Sequence, residues 1–319
     1  MPRQPGVEYN CLCSAQAHRR MFNCLYFTSS NKTVMRKLFI IFYSCMIYNC
    51  VAAQQKPSVF LNHVYFVLDS NTFNHLFDDS YLQTIADTTE KRTTTSNSAW
   101  SGKYLFGKNS YLEFFEANGF EGATLGSSGF GFMTHKSGDF NTIKNNWQKI
   151  YTDSLQTDTT VVTSRGPAHK WFYATGLPVD TTIATSTWLM ENTPDELKSV
   201  GFTDNEIKEP ISWQQYYEKR YHKNFLKPLN KITKVEIITN KKEYDYLKIS
   251  LLGFGLKEAN NSFYNDEVKI QYTIANVPST ELKTVTFALD NALPANTITI
   301  SNHLILQVND KTAMFTFNY

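Results

Sequence analysis

The sequence predicts an α+β protein built from successive strand–helix–strands units. Three observations lead there. Runs of apolar and β-branched residues with period two are each followed by a helix-period stretch and then by further short strands, and that order recurs three times. Phe 23, Tyr 18 and Trp 5 make 14% of the chain aromatic, which suits sheet faces and pockets better than a coiled coil. With 42% hydrophobic and 19% charged residues over 319 positions, the chain has the make-up of a folded protein of two or three modules. A net charge of +2 and the lack of any long basic run give no electrostatic reason to expect nucleic acid as a partner.

The N-terminal segment reads as an address. Residues 35–53 run from Met35-Arg36-Lys37 through an apolar stretch, Leu38 to Cys50, to the small residues Val51-Ala52-Ala53. This is the order of a secretory signal peptide, cleaved near Ala53. The apolar stretch is shorter than the ~20 residues that span a bilayer. Ile47-Tyr48-Asn49 before Cys50 is a poor lipoprotein context, so no stable membrane anchor is expected. Met35 then reads as the true start, with residues 1–34 a non-structural extension. All five cysteines (Cys11, Cys13, Cys24, Cys45, Cys50) lie before the cut, leaving 266 residues without disulfide or thiolate chemistry. The remaining 25 basic and 28 acidic residues reverse the sign of the net charge. The expected destination is outside the cytoplasm, periplasmic or secreted.

After the cut, Val59 to Asp69 alternates as a strand, and a helix capped by Ser70 runs to about Ile85 on the face Phe73, Leu76, Phe77, Ile85. Thr88 to Asn97 is polar, a loop or edge strand. Trp100–Phe106 and Ser110–Phe115 follow as strands around Gly107-Lys108-Asn109. A second unit opens with Gly129–Thr134, then a helix capped by Asp139 with the stripe Phe140, Ile143, Trp147, Ile150, Tyr151. Its later strands are Val161–Thr163, Lys170–Ala174 and Ile183–Met190. Residues 193–230 read as a helical insert: Thr193-Pro194-Asp195-Glu196 starts one helix, and Ser212 with Gln215 another, to about His222. Residues 231–319 form a β-rich third unit, with a strand at Ile232–Thr239, a helix at Lys241–Leu252 and further strands at Val268–Ala275, Thr284–Leu289, Thr297–Ser301, Leu304–Val308 and Ala313–Phe317. A hairpin turn is expected at Asn309-Asp310-Lys311.

The residues best placed for chemistry are His63 and Glu113. On the first strand His63, Tyr65 and Val67 share one face; on the later strand Tyr111, Glu113 and Phe115 do. Val64, Phe66, Leu68, Leu112 and Phe114 then pack against the helices, and His63 and Glu113 meet on the aromatic face. A carboxylate among aromatics costs several kcal/mol unless it is paired, protonated or bound to metal, and the imidazole is one available mate. The blander reading keeps His63 as a strand-edge hydrogen-bonder and Glu113 as a salt-bridge partner. His169 reads as a satisfied surface group, His75 and His222 as solvated, and the aromatic face Trp213, Tyr216, Tyr217, Tyr221 as packing. Gly253-Phe254-Gly255 lacks the third glycine of a dinucleotide site, and there is no P-loop, HExxH or nucleophile elbow.

Asn62-His63-Val64 opening a strand and Tyr111-Leu112-Glu113 closing the unit some 50 residues on resemble the glyoxalase-like (vicinal oxygen chelate) superfamily. The resemblance covers Val59 to Glu191, within residues 54–192, and implies paired βαβββ modules forming a cupped mixed sheet. It also implies one divalent metal ion (Zn, Fe, Mn or Ni) on the first-strand His and fourth-strand Glu, with further ligands from the second module. Glu191 stands near one of those positions. At the other, the opening strand reads Gly129-Phe130-Gly131-Phe132, with His135 a nearby substitute.

Two functions therefore stay open. One is an exported protein binding a small molecule in the cup, lined by Tyr65, Tyr111, Phe115, Phe130 and Trp171. The other is a metal-dependent lyase or dioxygenase-type enzyme using His63, Glu113 and Glu191. An odd third unit should either cap the first two or pair with a partner chain as a homodimer.

Overall fold

The computed structural model describes residues 59–95, 99–163, 167–178 and 182–319. The signal segment and the extension before it lie outside the described residues. The first unit is β1 (Val59–Leu68), α1 (Ser70–His75), α2 (Ser80–Ile85), β2 (Asp87–Thr94), β3 (Ala99–Phe106) and β4 (Tyr111–Glu116). The helix expected over 70–85 is split in two. Asp69 accepts from the Thr72 amide at the first start, and Asp79 accepts from the Tyr81 amide at the second. A second acidic cap thus begins a new helix where an uninterrupted one would need the Asp78-Asp79 pair in its interior. The polar stretch after them is an edge strand, β2.

The second unit repeats the plan with β5 (Ser128–Thr134), α3 (Asp139–Gln148), β6 (Gln156–Val162), β7 (His169–Gly176) and β8 (Thr185–Asn192). Because α3 stops at Gln148, Ile150 leaves the apolar stripe and is exposed. In each unit the first strand pairs parallel with the last, and β1 joins β5 antiparallel. The result is one mixed eight-stranded sheet, β2-β3-β4-β1-β5-β8-β7-β6. This is the paired βαβββ arrangement expected from the sequence.

The sheet curls until its edges meet. Thr95 bridges Val162, and the Thr163 amide donates to the Thr94 carbonyl at 3.2 Å. Sheet twist accumulates over eight strands, and closing the edges satisfies groups that would otherwise stay open. The curl leaves a large concave interior, and it holds the candidate site.

The insert folds as α4 (Pro194–Ser199), a 3-10 turn at Glu206–Lys208 and α5 (Trp213–Tyr221). Ser212 and Gln215 form the full expected capping box. The third unit is β9 (Leu229–Thr239), α6 (Lys241–Gly253), β10 (Lys257–Ala259), β11 (Ser262–Tyr264), β12 (Lys269–Ile274), β13 (Glu281–Ser301) and β14 (Leu304–Phe317). Its sheet runs β10-β11-β12-β9-β13-β14, with β12 parallel to β9 and β13 antiparallel to it. This repeats the β2-β3-β4-β1-β5 order of the first sheet, so the third unit is a third βαβββ module. The face equivalent to the cup carries Lys234 and Glu236, an ion pair at 2.5 Å.

The hairpin turn expected at Asn309-Asp310-Lys311 is not one. β14 runs through it, Asp310 takes a left-handed φ of 51°, and the chain instead reverses between Ser301 and Leu304. Turn-prone residues here are absorbed as irregularities in a long ribbon.

A single core joins the two sheets. It includes Val64, Phe66, Leu112, Phe114, Phe130 and Phe132 from the outer face of the curled sheet, and Val235, Phe287, Phe315 and Phe317 from the second sheet. The Phe66 and Phe317 rings lie 4.5 Å apart. The third module therefore caps the first two from within the chain.

Candidate functional site

Alternation along β1 is broken once. Val59 and Leu61 point into the shared core, the register shifts between Leu61 and His63, and beyond it Val64, Phe66 and Leu68 face the core. This β-bulge turns both Asn62 and His63 toward the concave side. Register then sets out two rows across the cup. In one, Trp188 of β8, Gly131 of β5, His63 of β1 and Tyr111 of β4 are neighbours. In the next, Ser186, Gly129, Tyr65, Glu113 and Tyr104 are.

A glycine sits in the middle of each row for a steric reason. A Cβ at Gly131 would come within 2.8 Å of both His63 ring nitrogens, and one at Gly129 within 2.8 Å of Ser186 Oγ and the Trp188 ring. Without side chains there, the His63 and Tyr65 rings can lie down over β5. His63 is stacked on Tyr111 at 4.7 Å and meets Trp188 edge-on at 5.3 Å.

The cup encloses a cavity of about 630 Å³. Its floor is the two rows. Trp100, Tyr104 and Phe106 form one wall, and Trp171 and Phe172 the opposite one. Trp213, Tyr216, Arg220 and Tyr221 of α5 close over it.

His63 and Glu113 are both buried, with His63 Nε2 3.8 Å from Glu113 Oε2. His63 Nδ1 lies 3.0 Å from Asn62 Oδ1. That oxygen can only accept, so Nδ1 carries the proton and the Nε2 lone pair faces Glu113. Burial holds the imidazole neutral, with its pKa lowered to about 3. Burial also pushes the Glu113 carboxyl above its ordinary range, while Tyr104, Lys91 and Trp100 draw it part of the way back. Desolvation therefore outweighs the attraction between the two, and 3.8 Å is too long for a hydrogen bond. What results is an uncharged acceptor beside a carboxyl reluctant to ionise. Two further buried donors, Asn62 Nδ2 and Trp213 Nε1, have no hydrogen-bond partner among the described residues, and both residues line the cavity.

Of the residues expected at the site, His63, Glu113, Tyr65, Tyr111, Phe115 and Trp171 line this cavity. Two do not. Phe130 faces the shared core and is fully buried there, because Gly129 and Gly131 take the alternate positions that face the cup. Glu191 also lies on the far side of the sheet, since its neighbours Met190 and Asn192 are the cavity-facing ones. Its carboxylate accepts from Thr134 Oγ1 at 2.9 Å and from the Gly138 and Phe140 amides at 2.8 and 2.9 Å, capping α3. His135 does not substitute, for its ring packs on Phe60 at 4.6 Å, away from His63. His169 is held by Glu196 at 2.6 Å.

The donor set among the described residues is therefore one ligand short of a catalytic zinc site. His63 and Glu113 converge alone, and no group of three or more His, Cys, Asp or Glu among the described residues could hold a metal. Catalytic zinc sites use three protein ligands. The α5 face, which the sequence reads as packing, supplies much of the roof: Trp213 stacks on Tyr111 at 5.0 Å, and only Tyr217 turns wholly away from the cavity, its hydroxyl bonding Asp87. Four aromatics in nine residues were the available signal.

No curated protein matches the chain. Among solved structures it is similar to a xylose isomerase-like TIM barrel/4-hydroxyphenylpyruvate dioxygenase fusion protein, at 9% identity and a TM-score of 0.39. The match covers 68% of this chain and 33% of that one, so the chain spans about a third of that protein's length. Residues 61–317 match a family of unknown function, and the stretch holds all but the first two residues of the three modules and every residue of the cavity. The chain belongs to that family, DUF5829.

Proposed function

We propose that this protein binds a planar, largely apolar small molecule inside the curled sheet and orients it by a polar edge set against His63 and Glu113. The observation that carries the reading is the aromatic cavity of about 630 Å³, a volume in the range of drug-sized ligand sites, with a few convergent polar groups on its floor. Flat rings on the floor and roof favour a flat guest, since stacked and edge-on contacts add to the area buried. The His63 Nε2 lone pair and the Glu113 carboxyl offer an acceptor and a donor side by side, and the unpartnered Asn62 Nδ2 supplies another donor. On the order of residues 35–53 alone, the proposal also places the protein outside the cytoplasm.

N-phenyl-1-naphthylamine, a neutral aromatic probe, should bind with one-to-one stoichiometry in a fluorescence titration. Trp188→Leu, which removes one aromatic from the cavity floor, should weaken it by about tenfold. Absence of saturable binding, or equal affinity in the variant, contradicts the reading.

The metal-dependent alternative makes the opposite demand on the floor residues. Calorimetric titration with zinc or manganese should show no stoichiometric tight site. A site lost in both His63→Ala and Glu113→Gln would restore that alternative.

A further inference from the structure

We propose that the ligand is an organic anion whose acidic group is held by Lys91. The proposal rests on the cavity reading above and adds the charge of its occupant. Two cations line the cavity, Lys91 and Arg220. Arg220 is already neutralised: its Nη1 lies 2.6 Å from the buried carboxylate of Glu196, and its guanidinium packs on Trp171, Tyr216 and Tyr221. Lys91 differs. Its ammonium stands 4.2 Å over the Tyr104 ring and gives one hydrogen bond to the Tyr221 hydroxyl, at 3.2 Å. Among the described residues no carboxylate oxygen pairs with it. An ammonium has three donors, so its hydrogen-bonding capacity is not exhausted.

Neither acid lining the cavity forms an ion pair with Lys91, although its charge draws the Glu113 carboxyl part of the way back toward ionisation. Glu121 is exposed at the mouth, and Glu113 is buried where ionisation is disfavoured. A half-buried cation in an aromatic wall is stabilised most by an anion that arrives with its own apolar body.

The unpartnered donors point the same way. Phe106 links Lys91 to Trp213 and Tyr111, with ring and cation separations of 5.3 to 6.2 Å, and Tyr111 in turn stacks on His63. Along this line stand Lys91 Nζ, with donor capacity beyond its bond to Tyr221, and two donors without a partner among the described residues, Trp213 Nε1 and Asn62 Nδ2. A carboxylate or sulfonate at Lys91 supplies acceptor oxygens together with the compensating charge, which a neutral apolar guest does not.

The test compares two probes of similar size on the purified protein: neutral N-phenyl-1-naphthylamine and anionic 1-anilinonaphthalene-8-sulfonate. The wild type should prefer the sulfonate, and sodium chloride should weaken the sulfonate alone. Lys91→Met should shift the ratio of the two affinities by about tenfold against the anion, and Lys91→Arg should restore most of the preference. An unchanged ratio in Lys91→Met, or in the wild type the same salt response for both probes, overturns the assignment of charge while leaving the cavity reading intact. Failure of the wild type to bind either probe overturns both. The salt comparison needs no variant, so it decides the matter even if Lys91→Met does not fold.

Discussion

Replacing His63 with phenylalanine should flatten the acid limb of the stability profile between pH 6.5 and about 3. The imidazole is buried and its folded-state pKa is lowered to about 3 from the ordinary 6.5. Above pH 6.5 it is neutral in both states and costs nothing. As pH falls below 6.5 the unfolded chain takes up a proton that the folded chain refuses, so stability is lost progressively until the folded-state pKa is reached. At about 1.4 kcal/mol per pH unit the interval is worth up to roughly 5 kcal/mol. Phenylalanine keeps the stack on Tyr111 but cannot titrate. It leaves Asn62 Oδ1 without its donor, a cost of about 1–3 kcal/mol that is present at every pH and does not alter the slope. Denaturant titrations at pH 7, 5.5 and 4 on both proteins give the comparison. Parallel profiles would mean that the imidazole is charged in the fold.

Gly131→Ala should both destabilise the protein and impair binding. The added methyl would meet the His63 ring, with both ring nitrogens within 2.8 Å of it. The imidazole cannot simply swing aside, because Tyr111 lies on one face and Trp188 at its edge. Overpacking of this kind costs about 1–3 kcal/mol. Displacing His63 also takes its Nε2 out of the floor, so probe affinity should fall along with the melting temperature. A neutral substitution would show that the imidazole does not lie over β5. Gly122→Ala is a useful contrast: a Cβ there meets nothing within 4 Å, but φ is +85°, so its cost is backbone strain and the cavity is untouched.

How far the site could be read from sequence depended on where simple alternation holds. On β4 it holds throughout, so Tyr111, Glu113 and Phe115 fall in the cup and Leu112 and Phe114 in the core, as expected. On β1 it holds from His63 onward, which is the part the argument used. The bulge at Asn62 leaves no mark in residue type, and so the sequence gives Asn62 a place in the strand motif but no position in the cup. Phe130 and Glu191 failed for a related reason. Which alternate of a strand faces the cup is decided by its neighbours, and on β5 the neighbours' rings demand glycine on that face. An aromatic in Gly-Phe-Gly-Phe therefore points to the core. Glu191 is one position out of phase with Trp188, Met190 and Asn192, and its carboxylate is committed to a helix start that the sequence places nearby but does not connect to it.

The third module was legible as a pass of strand, helix and strands. Its capping role depends on contacts such as Phe66 with Phe317, some 250 residues apart, which no local pattern encodes. The roof was hidden in plain view. A helix face of Trp213, Tyr216 and Tyr221 reads the same whether it meets a core or a cavity, and the curl of a sheet formed by other residues decides between them.

A crystal structure of the protein soaked with N-phenyl-1-naphthylamine tests the central claim most directly. The account predicts the probe's naphthyl ring between the cup floor at Trp188 and the roof at Trp213, with its amine toward His63 and Glu113. A fully formed cup that stays empty at saturating probe, or a probe bound only outside the curled sheet, would contradict it.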